Sequence, residues 1–193
     1  IYTVFYAGNS TSIPLEGGNV GLKQQTSYPF DGNITIEVSP EQEGHEFTMW
    51  VRIPTWCGEQ FVPGELYSYA NAAADKAVVK VNGRRVRTAV VDGYMPVKRA
   101  WAAGDKVELE LSMPVRYSVA DERVEADLNR VCVTRGPLVY CAEQPDNEHV
   151  ASSYVVEKIG AQGDVAVFDE GIMSGINNIT LQFSQNTYTL NII

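Results

Sequence analysis

The sequence has little of what marks the specialised protein classes. Its 15 Lys+Arg residues stand against 24 Asp+Glu, a net charge of -9, whereas proteins that bind nucleic acids or anionic membrane surfaces carry basic clusters. No apolar run approaches the roughly 18 residues of a membrane span. We therefore expect a soluble protein without nucleic-acid or membrane partners.

Cysteine is scarce as well. Cys57, Cys132 and Cys141 are an odd number at wide spacing, which fits neither a disulfide framework nor a CxxC zinc signature. We expect free thiols, with Cys132 and Cys141 buried in apolar strands and Cys57, at a strand exit, the most accessible. One disulfide with a spare thiol is the alternative in an oxidising compartment.

The motifs of catalysis are also missing. The chain has no Gly-x-Ser-x-Gly nucleophile elbow and no glycine string that matches a phosphate loop. His45 and His149 lie far apart in polar segments. The acidic residues are numerous enough to form chance pairs on a solvated face. We predict no catalytic, cofactor-binding or metal-binding residues in this chain.

Strand periodicity dominates what is there. Val107, Leu109 and Leu111 alternate with charged residues, which is typical of a strand with one buried face. Asn82-Gly83 lies between two such runs and predicts a tight hairpin. The predicted strands are 1–7, 20–27, 33–39, 46–53, 77–82, 84–91, 94–98, 106–112, 114–119, 130–135, 137–142, 153–157, 164–168, 178–184 and 187–192.

Many short strands with little helix predict an all-β fold, an antiparallel β-sandwich of two stacked sheets; a closed barrel is the alternative. The alanine-rich segment 70–76 is expected to form at most a short helix, and 121–129 a loop. We expect a main sandwich over residues 1–143 and a small C-terminal β segment over 144–193. Both ends of the chain read as strands, so we expect a part of a longer protein.

Aromatic residues are the candidate contact sites. Phe47, Met49, Val51 and Ile53 share one face of their predicted strand, which puts Trp50 on the other face. A large apolar ring on an outer face calls for a cover: a sugar ring, another domain or a loop of the same chain. Trp56 and Trp101 fall at strand exits, where aromatic rings either bind carbohydrate or close the end of the core. Tyr94 is the further candidate for stacking on a sugar.

Several strings, in order along residues 1–143, resemble the region after the catalytic barrel in glycoside hydrolase family 127, the β-L-arabinofuranosidase type. The strings are Tyr28-Pro29-Phe30-Asp31-Gly32, Arg52-Ile53-Pro54-Thr55-Trp56-Cys57, Val81-Asn82-Gly83, Gly93-Tyr94 through Arg99-Ala100-Trp101, Gly104-Asp105, Met113-Pro114-Val115-Arg116 and Arg135-Gly136-Pro137-Leu138-Val139-Tyr140-Cys141. The resemblance implies a bacterial enzyme with an (α/α)6 barrel followed by β-sandwich domains. It implies a cysteine nucleophile, a glutamate acid/base and a zinc site on the barrel, none of which has a match here.

The expectation that follows is a non-catalytic accessory domain that is inactive alone and supports the barrel of its parent chain. A homodimer is left open as a second partner. The alternative is a carbohydrate-binding module for an arabinose-containing glycan, with Trp50, Trp56, Tyr94 or Trp101 as the contact residues. No cofactor is expected in this chain. The bacterial cytoplasm and the periplasm both stay open as its compartment.

Overall fold

A computed structural model describes residues 1–59, 61–71 and 76–143, together with the backbone of three strands further on, and it is all-β. The described chain forms two compact units, one of residues 1–57 and 75–112, the other of 58–74 and 113–193. The boundary expected between a main sandwich and a C-terminal segment after Glu143 stays a prediction, because the residues that follow it lie outside the described ranges. The chain passes from one compact unit to the other at three places: after Cys57, after Ala74 and after Ser112.

The first unit is a sandwich of two sheets. Its strands are β1 (Tyr2–Thr3), β2 (Asn9–Leu15), β3 (Gly18–Thr26), β4 (Asn33–Pro40), β5 (His45–Arg52), β7 (Val78–Val81), β8 (Arg84–Arg85), β9 (Tyr94–Trp101) and β10 (Asp105–Glu110). One sheet has the order β1-β5-β9 and the other the order β2-β3-β4-β10-β7-β8. The β1–β5 pair is parallel and the other pairs are antiparallel.

Side chains from both sheets interleave in the core of this unit. The three-stranded sheet contributes its inward residues on alternate positions, as period two requires. The buried core residues are Tyr6, Val20, Leu22, Ile34, Ile36, Val38, Met49, Val51, Val79, Val81, Met95, Val97, Trp101, Val107, Leu109 and Leu111. The predicted antiparallel sandwich is confirmed for this unit, although its smaller sheet contains one parallel pair.

The second unit is built on one sheet of seven strands. The strands are β6 (Tyr67–Tyr69), β11 (Val115–Ala120), β12 (Val131–Arg135), β13 (Leu138–Ala142), β14 (Asp164–Val167), β15 (Asn177–Phe183) and β16 (Asn186–Ile192). Their order in the sheet is β14-β15-β16-β13-β12-β11-β6. All its neighbouring strands are antiparallel. Its buried core consists of Val115, Tyr117, Val133, Tyr140 and Ile179.

Two short 3-10 helices, Thr55–Cys57 and Glu125–Asp127, complete the described secondary structure. The strand predicted over 153–157 and most of the helical segment predicted over 70–76 lie outside the described residues. The segment 121–129 was expected to be a loop, and its one regular turn is the second 3-10 helix.

Strand bounds differ from the prediction most clearly at five places, two of which are β6, which was not predicted, and β9, which ends at Trp101 where the predicted strand ended at 98. The predicted strand 1–7 is regular only over β1, and the strand predicted over 84–91 only over β8. Strand β2 was not predicted, because its sequence Asn9-Ser10-Thr11-Ser12-Ile13-Pro14-Leu15 is mostly polar and exposed and shows no apolar alternation. It pairs with β3 at the edge of its sheet, where burial supplies little of the signal.

Two turns bring distant sequence strings together. Asn82 and Gly83 have φ values of 50° and 75°, as a tight hairpin of this kind requires, so the predicted hairpin is confirmed. At Gly32 the backbone touches Leu111: the Leu111 N–H donates to the Gly32 carbonyl at 2.9 Å. A Cβ at Gly32 would lie 2.0 Å from the Leu111 carbonyl oxygen, so only glycine fits there.

Candidate functional site

The outer side of the three-stranded sheet carries an aromatic surface. Along β5, Met49 and Val51 are fully buried, and Trp50 between them points to the opposite face. The register sets Trp50 beside Tyr2 of β1 on one side and Pro96 of β9 on the other. The prediction that Trp50 lies on the outer face is confirmed.

Tyr2 is the centre of this surface. Its ring stacks on Trp50 with centroids 5.5 Å apart and planes 5° from parallel, and it meets Tyr94 edge-on at 5.2 Å. Trp50 and Tyr94 are half-buried, whereas Tyr2 is 60% exposed. We call Tyr2, Trp50 and Tyr94 the outer aromatic face. Its tryptophan is covered in part by its own chain, one of the three covers expected.

Hydrogen bonds hold β1 in this position. The Trp50 N–H donates to the Ile1 carbonyl at 2.8 Å, and the Thr3 hydroxyl donates to the Trp50 carbonyl at 3.1 Å. Thr3 is buried on the inner side, so Tyr2 has to point outward. The stack is therefore a consequence of the β1–β5 register.

Phe5 extends the apolar surface beyond the outer aromatic face. It is 78% exposed, and the Arg52 guanidinium lies 5.9 Å from its ring centroid. Arg52 Nη1 also donates to the Val4 carbonyl at 3.0 Å. The Tyr6 hydroxyl donates to the Arg52 carbonyl at 2.6 Å, and burial raises the pKa of that hydroxyl. The segment that follows β1 is thus attached to β5 at both its main chain and its side chains.

Two of the four predicted contact residues belong to the core instead. Trp101 is 0% exposed, stacks on Phe47 at 5.4 Å and donates its Nε1–H to the Phe47 carbonyl at 3.0 Å. Its expected role as a contact residue is corrected, since it offers no surface to a sugar or a domain. Trp56, in the first 3-10 helix, is half-buried and packs against the same core, so it closes the core's end. Trp50 and Tyr94 remain as surface residues.

A buried carboxylate organises one end of this unit. Asp105 is largely buried and accepts hydrogen bonds from the Ala102 N–H at 3.0 Å and from Asn82 Nδ2 at 2.7 Å. Arg99 lies 3.5 Å away. Burial acts to raise the pKa of Asp105, but these two donors and the Arg99 charge outweigh it and hold that pKa below its ordinary value. This polar junction explains why the Val-Asn-Gly and Gly-Asp strings occur together: they build one corner of the sandwich.

Arg116 is the corresponding buried charge of the second unit. Its side chain is 3% exposed and lies 3.6 Å from Glu59. Its guanidinium stands 3.7 Å from the centroid of the Tyr69 ring, a close cation–π contact. The residue therefore attaches the segment around β6 to β11 and acts as a structural element.

The thiols differ from the prediction. Cys132 is exposed, whereas Cys57 and Cys141 are intermediate, so Cys132 was wrongly assigned to the core and Cys57 is not the most accessible. Burial raises the pKa of Cys57 to about 12. Within β12, the inward position belongs to Val133, and its neighbour Cys132 therefore faces outward.

The described residues contain no cluster of three or more His, Cys, Asp or Glu side chains that could hold a metal ion. An open cleft of about 510 Å³ lies at one edge of the first unit, lined by Asn33, Lys76, Val78, Arg85, Glu110, Leu111 and Ser112. Its lining has no aromatic ring on which a sugar could stack. No helix in the described part of the chain is long and apolar enough to cross a membrane.

The fold and the surface together define a β-sandwich domain with an aromatic outer face. Comparison with known proteins identifies its family. Residues 1–113 match the family model described as "Beta-L-arabinofuranosidase, GH127 middle domain". Residues 115–187 match "Glycoside hydrolase family 127 C-terminal domain". The chain belongs to glycoside hydrolase family 127 and represents its middle and C-terminal domains, as the sequence strings had indicated.

The relatives are much longer proteins. A non-reducing end β-L-arabinofuranosidase of Bifidobacterium longum subsp. longum is 30% identical over 165 residues, which are 83% of this chain and 22% of that protein. A solved GH127 β-arabinofuranosidase is 35% identical with a TM-score of 0.82, covering 100% of this chain and 31% of its own. A GH127 β-L-arabinofuranosidase from Geobacillus stearothermophilus T6 gives 26% identity and a TM-score of 0.80, covering 99% and 30%.

Sequence reasoning missed Tyr2 and Phe5 as surface residues. The run Ile1-Tyr2-Thr3-Val4-Phe5-Tyr6 is apolar at both odd and even positions, so alternation does not tell its inner from its outer face. The available signal was Thr3, whose hydroxyl can be buried when it has a hydrogen-bond partner. If Thr3 faces the core, its neighbour Tyr2 faces outward.

Proposed function

We propose that this chain is the non-catalytic accessory region of a β-L-arabinofuranosidase-like hydrolase and that its outer aromatic face supports the catalytic barrel of the parent chain. The observation that carries the proposal is the pair of matches to the middle and the C-terminal domain of the family, the region that the sequence resemblance places after the catalytic barrel. The chain also spans only 22–31% of the length of the three relatives described above, which leaves ample length for a barrel.

The geometry supports a docking surface at that face. Tyr2 and Phe5 are the most exposed large apolar residues described. Tyr2 contacts the half-buried Trp50 and Tyr94, and the Phe5 ring lies against Arg52 of the same strand as Trp50. Contiguous apolar patches on a folded domain mark interaction sites, and permanent interfaces resemble a core cut in half. A homodimer that uses the same face is the second candidate assembly, and it predicts a change of molar mass with concentration in light scattering.

The first test is activity. The chain of residues 1–193 should not hydrolyse aryl β-L-arabinofuranosides, with or without added zinc, because the family's catalytic strings are not in it. Turnover by the purified chain that disappears when one of its own carboxylates is replaced would overturn the proposal.

The second test is docking in the full-length parent. Tyr2→Ala combined with Trp50→Ala should lower the thermal midpoint of the barrel's unfolding. Lys98→Ala, an exposed position on the same sheet whose ion pair with Glu46 spans 3.1 Å, is the matched control and should leave the midpoint in place. Equal effects from both variants would contradict docking at this face.

The carbohydrate-binding alternative is favoured by one observation, the 60% exposure of the Tyr2 ring. An aromatic side chain that stacks on a sugar needs an open ring face, and one face of Trp50 is already covered by Tyr2. If the chain binds sugar here, arabinan-type oligosaccharides should shift the tryptophan fluorescence, and Tyr2→Ala should abolish the shift. An unchanged spectrum at millimolar oligosaccharide would leave the accessory role as the explanation of the face.

A further inference from the structure

The seven-stranded sheet places Cys132 and Cys141 on two neighbouring strands, β12 and β13. In the β12–β13 hairpin the paired positions are Arg135 with Leu138, Thr134 with Val139 and Val133 with Tyr140. Both strands continue for at least one more residue. The ladder of paired residues ends at Val133 with Tyr140, and the same register carried one step further would set Cys132 of β12 opposite Cys141 of β13.

The type of this pair follows from the turn. Gly136 and Pro137 form a two-residue connection, with Gly136 at φ 59°, so the flanking residues Arg135 and Leu138 form a hydrogen-bonded pair. Pairs alternate along an antiparallel ladder, so on this register the Cys132–Cys141 position would be a non-hydrogen-bonded one, for which Cα atoms lie about 4.5 Å apart. Disulfides span Cα separations of roughly 4.4–6.8 Å.

Both thiols are on the side of the sheet that faces away from its core. Val133 and Tyr140, the pair next to them, are buried in the core of the second unit. Because successive side chains point to opposite faces, Cys132 and Cys141 point outward together. Cys132 is exposed and Cys141 is half-buried, so one thiol meets reagents in solution and the other lies beside it.

We propose that Cys132 and Cys141 are a redox modification site, which forms a reversible cross-strand disulfide by exchange with a small-molecule disulfide such as glutathione disulfide. The Cys132 thiolate attacks one sulfur of the oxidant, its S–S bond breaks, and one glutathione thiolate leaves. The Cys141 thiolate then attacks Sγ of Cys132 and displaces the second glutathione. The two cysteines lose two protons and two electrons, and the oxidant departs as two thiols.

The environments of the thiols set the order of these steps. The thiolate is the attacking species, and burial, assisted by the negative charge of Glu143, raises the pKa of Cys141. The exposed Cys132 is therefore the thiol that attacks the oxidant first, and Cys141 is the one that resolves the mixed disulfide. Cys57, on the other compact unit, has its own pKa raised to about 12 by burial, and it stays reduced as an internal standard.

The experiment exposes the native 193-residue chain to glutathione disulfide and counts thiols. The titratable thiols should fall from three to one, the mass should drop by two hydrogens, and peptide mapping should join Cys132 to Cys141. Dithiothreitol should restore all three. The Cys57→Ser control should form the same bridge and retain no thiol.

The single variants separate the two steps. Cys141→Ser should accumulate one glutathione on Cys132, and Cys132→Ser should react much more slowly, with no bridge in either. Three thiols persisting in the wild-type chain, a stable glutathione adduct on its Cys132, or a bridge that includes Cys57 would each overturn the proposal. Circular dichroism of every variant verifies that the fold is intact before the counts are compared.

Discussion

Replacing two tryptophans of the same unit with alanine tests the division between its core and its outer face. Trp101 is fully buried, stacked on Phe47 and hydrogen-bonded through Nε1. A core Trp→Ala change costs about 3–5 kcal/mol, and the unpaired Phe47 carbonyl adds to the cost. We expect Trp101→Ala to fall at or above the top of that range.

Trp50→Ala should cost far less. Trp50 is half-buried, and its main side-chain contact is the parallel stack on Tyr2. An aromatic pair contributes about 0.5–1.5 kcal/mol beyond its buried area, so we expect a total of about 1–2 kcal/mol. The double variant Tyr2→Ala with Trp50→Ala should show a coupling of about 0.5–1.5 kcal/mol relative to the single variants.

Urea unfolding followed by far-ultraviolet circular dichroism measures both variants on the transition of the same unit, without relying on the fluorescence of the residues removed. With a slope of about 2 kcal/mol per M, Trp50→Ala should move the midpoint down by about 0.5–1 M, and Trp101→Ala by at least about 1.5 M. Equal shifts would refute the assignment of Trp50 to the outer face. A Trp101→Ala shift below about 0.5 M would refute the burial of Trp101.

The remaining predictions concern the turns and the thiols. Asp105→Asn should lower the free energy of unfolding at neutral pH. The folded pKa of Asp105 lies below its ordinary 3.8, so the wild-type carboxylate stabilises the fold fully above that ordinary value and loses this contribution as pH falls through the folded pKa. The free energy of unfolding, measured from pH 6 to pH 2, should therefore change less for the variant than for the wild-type chain. Gly32→Ala should cost more than about 2 kcal/mol because its Cβ would collide with main chain, whereas Gly8→Ala, with nothing within 4 Å of the added atom, should change the urea midpoint little; similar midpoints would contradict the close approach. Native labelling with a maleimide at pH 7 should modify Cys132 well before Cys57, and the reverse order would contradict the burial of the two thiols.

Period-two parity predicted the parts of the fold that depend on one strand at a time. The inward side of β5 and the Asn82-Gly83 hairpin follow from local sequence, because alternation and turn chemistry act within a few residues. The burial of Trp101 was missed because the alternation of inward and outward residues was not followed to the end of the strand. Trp101 shares its parity with the buried Met95 and Val97, but the predicted strand ended at 98, so the same rule was not applied to it.

Cys132 shows the same effect in the second unit. Its strand is apolar overall, yet Val131 and Val133 occupy one parity and Cys132 the other, so burial of the strand did not imply burial of the thiol. The pairing of Cys132 with Cys141 is derivable from sequence only once the Gly136-Pro137 turn is known to contain two residues. One residue more in that turn would have displaced the register and separated the thiols.

The outer aromatic face lay beyond sequence reasoning for a different reason. It depends on β1 joining β5 in parallel, with Tyr2 beside Trp50 across 48 positions of the chain, and no local rule selects that register. The composition of β1 and of the residues that follow it nevertheless indicates which of its faces are covered. Exposed strand faces are usually polar, whereas strands covered on both sides are apolar at both parities; the segment Ile1–Tyr6 is of the second kind, with Thr3 and Tyr6 facing inward and Tyr2 and Phe5 facing outward. Outer rings left exposed on a segment of that pattern support the proposal that the catalytic barrel, rather than a free sugar, covers this face.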